Sequence, residues 1–141
     1  MSLDNLVIIG RLKVHVAAQE EISRLLAAAE RNLRDAKAET ISDETRFDAA
    51  YKAVMQCALA GLAAAGFRPA TDAPGHHQPM VQSLPLTLGV DRVTMVVLDA
   101  LRKKRNINDY SGDLMDPESL RQCLVEAEAL LACARARLLG A

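Results

Sequence analysis

The chain has 141 residues, a formal net charge of −1 and an apolar fraction of one half, yet aromatic residues make up only 3%. A near-neutral chain lacks the broad basic surface of a general nucleic-acid coat, so any contact with nucleic acid must be local. A core of Leu, Val, Ile, Met and Ala favours close-packed helices, and the length favours one domain over residues 1–141. No run of about 18 apolar residues occurs, so no membrane span is expected.

Cysteine usage indicates the compartment. The three cysteines, Cys57, Cys123 and Cys133, fall within helical patterns and form no CxxC pair. An odd number without framework spacing is typical of buried thiols in a reducing compartment. We therefore expect a cytoplasmic protein.

The first half of the chain predicts an accessory element and two long helices. Residues 1–15 are expected to form an N-terminal arm or a short helix. Apolar residues then recur every three or four positions over 16–38, which predicts a helix. Ser42 is a good N-cap for the next helix, and Gly66 fits the left-handed position after its end near residue 65.

The second half begins with a predicted loop over 67–75 and a short amphipathic segment over 76–86, which Pro85 ends or kinks. A helix follows from Asp91 and carries a basic run at its end. The last helix begins with Asp116 as cap and Pro117 at its first position. These patterns together predict an all-α fold. We expect an antiparallel up-and-down bundle of four to five main helices with short accessory helices.

The basic run holds the first candidate site. Arg102, Lys103, Lys104 and Arg105 are followed directly by Asn106, and Tyr110 stands four residues later. Positions four apart share a helix face, so Arg102, Asn106 and Tyr110 are expected to project together, with Arg105 beside them. Arginine offers a planar fork of donors that matches phosphate oxygens. The alternative interpretation is structural: lysine and arginine near the C-terminus of a helix are favoured because they offset the negative end of the helix dipole.

His76 and His77 form the second candidate. Adjacent histidines on a helix project about 100° apart, and no HExxH motif or Cys/His cluster accompanies them, so we expect no metal site. After Gly75 they would open a helix, where the dipole disfavours imidazolium and attracts anions. A neutral histidine there can act as a base or a donor toward a phosphate, or simply bond a neighbouring group.

Three patterns in order carry a family resemblance. They are Ala50-Tyr51 with small residues in one helix, Gly75-His76-His77, and Arg102 with Arg105-Asn106, Tyr110 and Gly112. Together they resemble a branch of short stand-alone proteins in the HEPN superfamily, over roughly residues 16–138. The resemblance implies an antiparallel helical bundle that forms homodimers.

The resemblance also implies a role for the basic run. Ribonuclease members carry an Arg, a polar residue and, four to six positions after the Arg, a His that assists attack by the 2′-hydroxyl without a metal. Arg105 and Asn106 match the first two, but Tyr110 stands where the His is expected. A phenol titrates near 10 and is a poor general base at neutral pH.

Three functions follow as hypotheses. The first is a regulatory protein that binds a nucleotide or RNA phosphate through Arg102, Arg105, Asn106 and Tyr110, without cofactors. The second is a metal-independent ribonuclease of the toxin type, with Arg105 and either His76 or His77 as catalytic residues. The third is an interaction bundle without a small ligand, or the partner of a nucleotidyltransferase in a toxin–antitoxin pair.

Overall fold

The fold is described from a computed structural model, over residues 2–72 and 75–140. Seven helices and two three-residue strands occur in these ranges. Their order is α1 Leu3–Ile8, β1 Leu12–Val14, α2 Gln19–Ala36, α3 Asp43–Ala65, β2 Phe67–Pro69, α4 His77–Gln82, α5 Leu84–Thr87, α6 Arg92–Ser111 and α7 Pro117–Leu139. The predicted all-α class is confirmed, with α2, α3, α6 and α7 as the long helices. The up-and-down order of the bundle stays a prediction.

Capping side chains fix where the long helices begin. The Ser42 hydroxyl accepts a hydrogen bond from the backbone N–H of Thr45 at 3.2 Å, at the start of α3. At the start of α7, the Asp116 carboxylate accepts from the N–H of Ser119 at 2.9 Å. These bonds satisfy N–H groups that have no partner inside a helix. Both predicted caps are confirmed.

Helix α3 lies at the centre of the core. It packs against α2 and α7 and is buried over most of its length. Small residues make this possible, as Gly61 shows. A Cβ there would stand 2.9 Å from Thr87 Oγ1 and 3.0 Å from Leu88 Cγ, so only glycine lets α5 come so close.

Two short strands, which the sequence did not predict, accompany the helices. β1 and β2 pair antiparallel, with Lys13 opposite Arg68. The predicted loop over 67–75 is therefore wrong at its start, since 67–69 is a strand; residues 73–74 of it lie outside the described residues. The N-terminal segment contains both predicted alternatives, the short helix α1 and the extended β1.

The basic run also differs from its prediction. α6 continues beyond the basic run to Ser111, where Gly112 adopts the left-handed conformation with φ of 72°. The cations therefore lie in the helix interior, and their partners are carboxylates instead of the dipole. Lys103 pairs with Asp99 at 3.5 Å, and Lys104 pairs with Asp116.

Within residues 2–72 and 75–140, none of the helices combines the length and the apolar character needed to cross a membrane.

Candidate functional site

The inward face of α6 places Arg105 on an aromatic platform. Its guanidinium carbon lies 4.9 Å from the centre of the Tyr51 ring, which α3 supplies. A cation over a ring face is attracted by the negative charge of the π system. The contact therefore links α6 to α3 at Arg105.

Tyr51 also fixes the orientation of His77. Its hydroxyl oxygen lies 3.0 Å from His77 Nδ1, a hydrogen bond between α3 and the first turn of α4. His76 stands edge-on to His77, with ring centres 4.7 Å apart. Arg105, Tyr51 and His77 thus form a continuous chain of contacts that joins three helices.

These side chains line a cavity of about 350 Å³, which we call the α3–α6 cleft. Its lining consists of Asp48, Tyr51, Lys52, Met55, His77 and Arg105. Two permanent cations, a phenol and an imidazole therefore surround one space, with a single carboxylate. The size suits a phosphate group together with part of what carries it.

Arg105 is incompletely paired. Its nearest carboxylates are Asp48, 3.6 Å from Nε, and Asp109, 3.8 Å from Nη2, both beyond ordinary hydrogen-bond distance. Among the described residues, its buried Nε has no hydrogen-bond partner. A buried donor without an acceptor is costly, so an anionic ligand here would recover that cost.

Burial shifts the pKa values of three groups that line the cleft. Burial raises the pKa of the Asp48 carboxyl, and the opposing charge of Arg105 offsets only part of that effect. Burial, then the charges of His76 and Arg105, lower the pKa of His77 from 6.5, so its imidazole is neutral at pH 7. Burial also raises the pKa of Tyr51 to about 12, so its hydroxyl keeps its proton.

A second cavity of about 270 Å³ adjoins the cleft and shares Lys52, Met55 and His77 with it. Its walls are mainly apolar, and the other lining residues are Leu25, Gln56, Leu59, Pro69, Thr71, His76 and Met80. Asn32 donates to the Gln56 carbonyl oxygen at 2.8 Å, which leaves the Gln56 amide nitrogen as a donor. We call this space the apolar annex.

The predicted site residues are only partly together. Arg105 and His77 line the same cleft, and His76 lines the annex. Arg102 instead points to Asp99, to which its Nε donates at 2.9 Å. Asn106 is exposed, and Tyr110 is 94% exposed.

Four residues that line the cleft are not among the predicted site residues: Asp48, Tyr51, Lys52 and Met55. Tyr51 enters the sequence analysis only through the family resemblance. Their signal is nevertheless present, because Asp48 and Lys52 stand four apart on α3 and flank its only tyrosine. Polar residues one turn apart beside an aromatic ring on an otherwise apolar helix indicate a functional face.

Over residues 2–72 and 75–140, no cluster of three His, Cys, Asp or Glu side chains has the arrangement that could hold a metal ion. No protein-family model, curated protein or solved structure matches the chain. The HEPN resemblance therefore stays a prediction.

Proposed function

We propose that the α3–α6 cleft binds the phosphate of a nucleotide or of an RNA end, and that the protein acts through this binding. The observation that carries the proposal is Arg105, which lies over the Tyr51 ring in a cleft shared with Lys52 and His77. Its buried Nε has no hydrogen-bond partner among the described residues. Arginine and lysine supply charge, and the imidazole supplies a neutral donor or acceptor.

The apolar annex favours a nucleotide over inorganic phosphate. It adjoins the cleft, because Lys52, Met55 and His77 line both cavities. Met55 and Met80 supply the adaptable apolar walls that a flat base requires, and the Gln56 amide nitrogen can donate to a ring nitrogen or carbonyl. Phosphate in the cleft and base in the annex would use both cavities at once.

Nucleotide titration of the Arg105→Ala variant tests this function. Loss of hydrogen bonds to a charged group removes about 1.5–3 kcal/mol of binding free energy, a decrease in affinity of roughly 10- to 150-fold. Calorimetric titration with nucleoside monophosphates and short RNAs measures it. Arg121→Ala is the matched control, because it removes the same charge from an exposed site on α7 where Arg121 pairs with Glu118.

Equal affinities of the wild-type, Arg105→Ala and Arg121→Ala proteins across these ligands would contradict the function. Inorganic phosphate is the second probe. If it binds as tightly as a nucleoside monophosphate, the cleft is a phosphate site and the annex contributes nothing.

A second candidate function is metal-independent RNA cleavage, with Arg105 and His77 as the catalytic pair. The observation that favours it is the hydrogen bond between the Tyr51 hydroxyl and His77 Nδ1, which leaves the other ring nitrogen, Nε2, without a role in that bond. If Nδ1 carries the proton, Nε2 is free to accept one from a 2′-hydroxyl. If Tyr51 donates instead, Nε2 carries the proton and can only donate to a phosphate.

The two functions therefore differ in the tautomer of His77 and in the product. Cleavage predicts an EDTA-resistant RNA transesterification, in which the 2′-hydroxyl attacks the phosphorus and the 5′-hydroxyl leaves. It yields a 2′,3′-cyclic phosphate and is lost in His77→Gln. Nucleotide binding without turnover, and without any cyclic product, assigns the cleft to binding alone. The nucleotidyltransferase partner stays a prediction that the cleft does not address.

A further inference from the structure

The N-terminal segment exposes aliphatic side chains that neither the core nor the α3–α6 cleft uses. Leu6 and Leu12 are buried and anchor this segment to the core. Four other aliphatic residues of the same stretch are largely exposed. They are Ile8, Ile9, Val14 and Val16, with exposed fractions of 79%, 65%, 69% and 92%. Single exposed apolar residues are common on protein surfaces, but a concentration within nine positions indicates an interaction site.

A tight turn keeps these residues together. The backbone N–H of Arg11 donates to the Leu6 carbonyl oxygen at 2.8 Å, directly after α1. The chain then enters β1, which packs against α1. The end of α1, with Ile8 and Ile9, therefore lies close to the strand that carries Val14.

Three cations accompany the aliphatic residues. Lys13 of β1 stands directly opposite Arg68 of β2, and Arg11 lies two positions before Lys13, on the same face of the strand. Like charges directly opposite each other destabilise a sheet. Lys13 pairs with Asp72 at 3.6 Å, whereas neither Arg11 nor Arg68 forms an ion pair within residues 2–72 and 75–140. We call these three cations and the four exposed aliphatic residues the N-terminal patch.

The two segments that form the patch lack acidic residues. Residues 5–19 contain no Asp or Glu, and neither do residues 49–71, in a chain that has 18 of them. Glu21, which follows the first segment, pairs with His15 at 2.8 Å. The patch therefore combines aliphatic surface with a local excess of positive charge, although the whole chain has a net charge of −1.

We propose that the N-terminal patch binds the surface of a bilayer that contains anionic phospholipids. The combination of side chains selects this occupant. Lysine and arginine bind the anionic headgroups, while neighbouring aliphatic side chains enter the boundary between headgroups and acyl chains. A nucleic acid would neutralise the cations but leave the four aliphatic residues without a role. The proposal is independent of the function of the α3–α6 cleft.

The two kinds of side chain contribute separately to binding. One basic residue near an anionic surface raises the affinity about fivefold, so the three cations together supply a factor on the order of 100. Insertion of the aliphatic side chains adds to this, because it removes apolar surface from water. Salt screens the contribution of the cations and leaves that of the aliphatic residues. The attachment is therefore expected to be reversible and sensitive to salt.

Flotation of the full chain with vesicles of defined composition tests the proposal. The wild-type protein is expected to bind vesicles of equal parts phosphatidylglycerol and phosphatidylcholine. It is expected to bind vesicles of phosphatidylcholine alone at least about tenfold more weakly. Absence of binding to the mixed vesicles, or equal binding to the two kinds, overturns the proposal.

Val16→Asp tests the aliphatic residues. It removes an apolar side chain and adds a charge that anionic lipids repel, so affinity for the mixed vesicles should fall at least about tenfold. Because Val16 is almost fully exposed, the fold should not change. Val93→Asp is the matched control, since Val93 of α6 is 74% exposed and lies outside the patch. Loss of binding in Val93→Asp with none in Val16→Asp would place the contact on α6 and refute the patch.

A double variant, Lys13→Gln with Arg68→Gln, tests the cations. It is expected to bind the mixed vesicles roughly 30-fold more weakly, because two basic residues are lost. The matched control is Arg34→Gln with Arg121→Gln, which removes the same charge from exposed sites outside the patch. Equal losses in the two double variants would mean that net charge governs the binding, which contradicts a specific patch.

Arg105→Ala separates the patch from the α3–α6 cleft, which is itself proposed to bind phosphate. This variant is expected to bind the mixed vesicles like the wild type, and a loss would assign the lipid phosphate to the cleft and overturn the patch. Short RNA is the last probe. If the Lys13→Gln, Arg68→Gln protein loses affinity for RNA and the wild type binds no vesicles, the patch is an RNA surface and the proposal is wrong.

Discussion

The two faces of α6 share one helix and differ in almost every other respect. On the inward face, Arg105 lies over Tyr51 and lines the α3–α6 cleft together with His77. Outward, Ile107 and Tyr110 stand in the open on an apolar stripe. Residues 102–110 are adjacent in the sequence, but the helix places them on two different faces. The charged half faces a cleft suited to anions, and the apolar half faces solvent.

The largest contrast between the faces should appear in stability. Leu101 is buried on the inner face, so Leu101→Ala should lower the free energy of unfolding by about 2–5 kcal/mol through lost burial and a cavity. Ile107→Ala on the outer face should change it by less than about 0.5 kcal/mol in the monomer. Urea unfolding at low protein concentration measures both. Similar losses for the two variants would mean that the faces are not distinguished by burial.

A smaller effect should distinguish the parts of the inner face. Tyr51→Phe keeps the ring under Arg105 and removes only the hydroxyl that binds His77 Nδ1. Loss of one such hydrogen bond corresponds to about 0.5–1.5 kcal/mol, so nucleotide affinity should fall by roughly 2- to 10-fold. Titration calorimetry measures the change. A loss as large as that of Arg105→Ala would show that the hydroxyl, and not the arginine, dominates the cleft.

The smallest effect concerns pH. The folded protein disfavours protonated His77, whose pKa is lowered from 6.5 chiefly by burial. The unfolded chain therefore binds more protons in this range, and stability falls as pH decreases below 6.5 toward the lower folded pKa. His77→Gln should reduce the difference in unfolding free energy between pH 7.5 and 5.5, measured by urea titration. A variant with an equal or larger difference would count against a neutral, buried imidazole.

Much of the fold could be predicted because its signals are local. Ser42 and Asp116 cap the helices they were expected to cap, and Gly66 ends α3 in the left-handed conformation. The two strands were not predicted because their pairing is not local. Leu12–Val14 and Phe67–Pro69 are three residues each, too short for a periodic pattern, and they pair across more than 50 positions.

The site could be predicted only in part, because residues were grouped by proximity in sequence. Arg105 and Tyr110 are five positions apart, which places them roughly 140° apart around a helix. The helix therefore cannot present both to one phosphate, and the structure shows Arg105 inward and Tyr110 outward. Conversely, Tyr51 lies 54 positions before Arg105, and only the packing of α3 against α6 brings the two together.

The central claim is that the inner face of α6 binds a nucleotide phosphate and the outer face does not. One calorimetric series on wild-type, Arg105→Ala and Tyr110→Ala proteins, with a single nucleoside monophosphate at fixed salt, tests it most directly. The account predicts a roughly 10- to 150-fold loss for Arg105→Ala and an unchanged affinity for Tyr110→Ala. Loss of affinity in Tyr110→Ala with none in Arg105→Ala would contradict it.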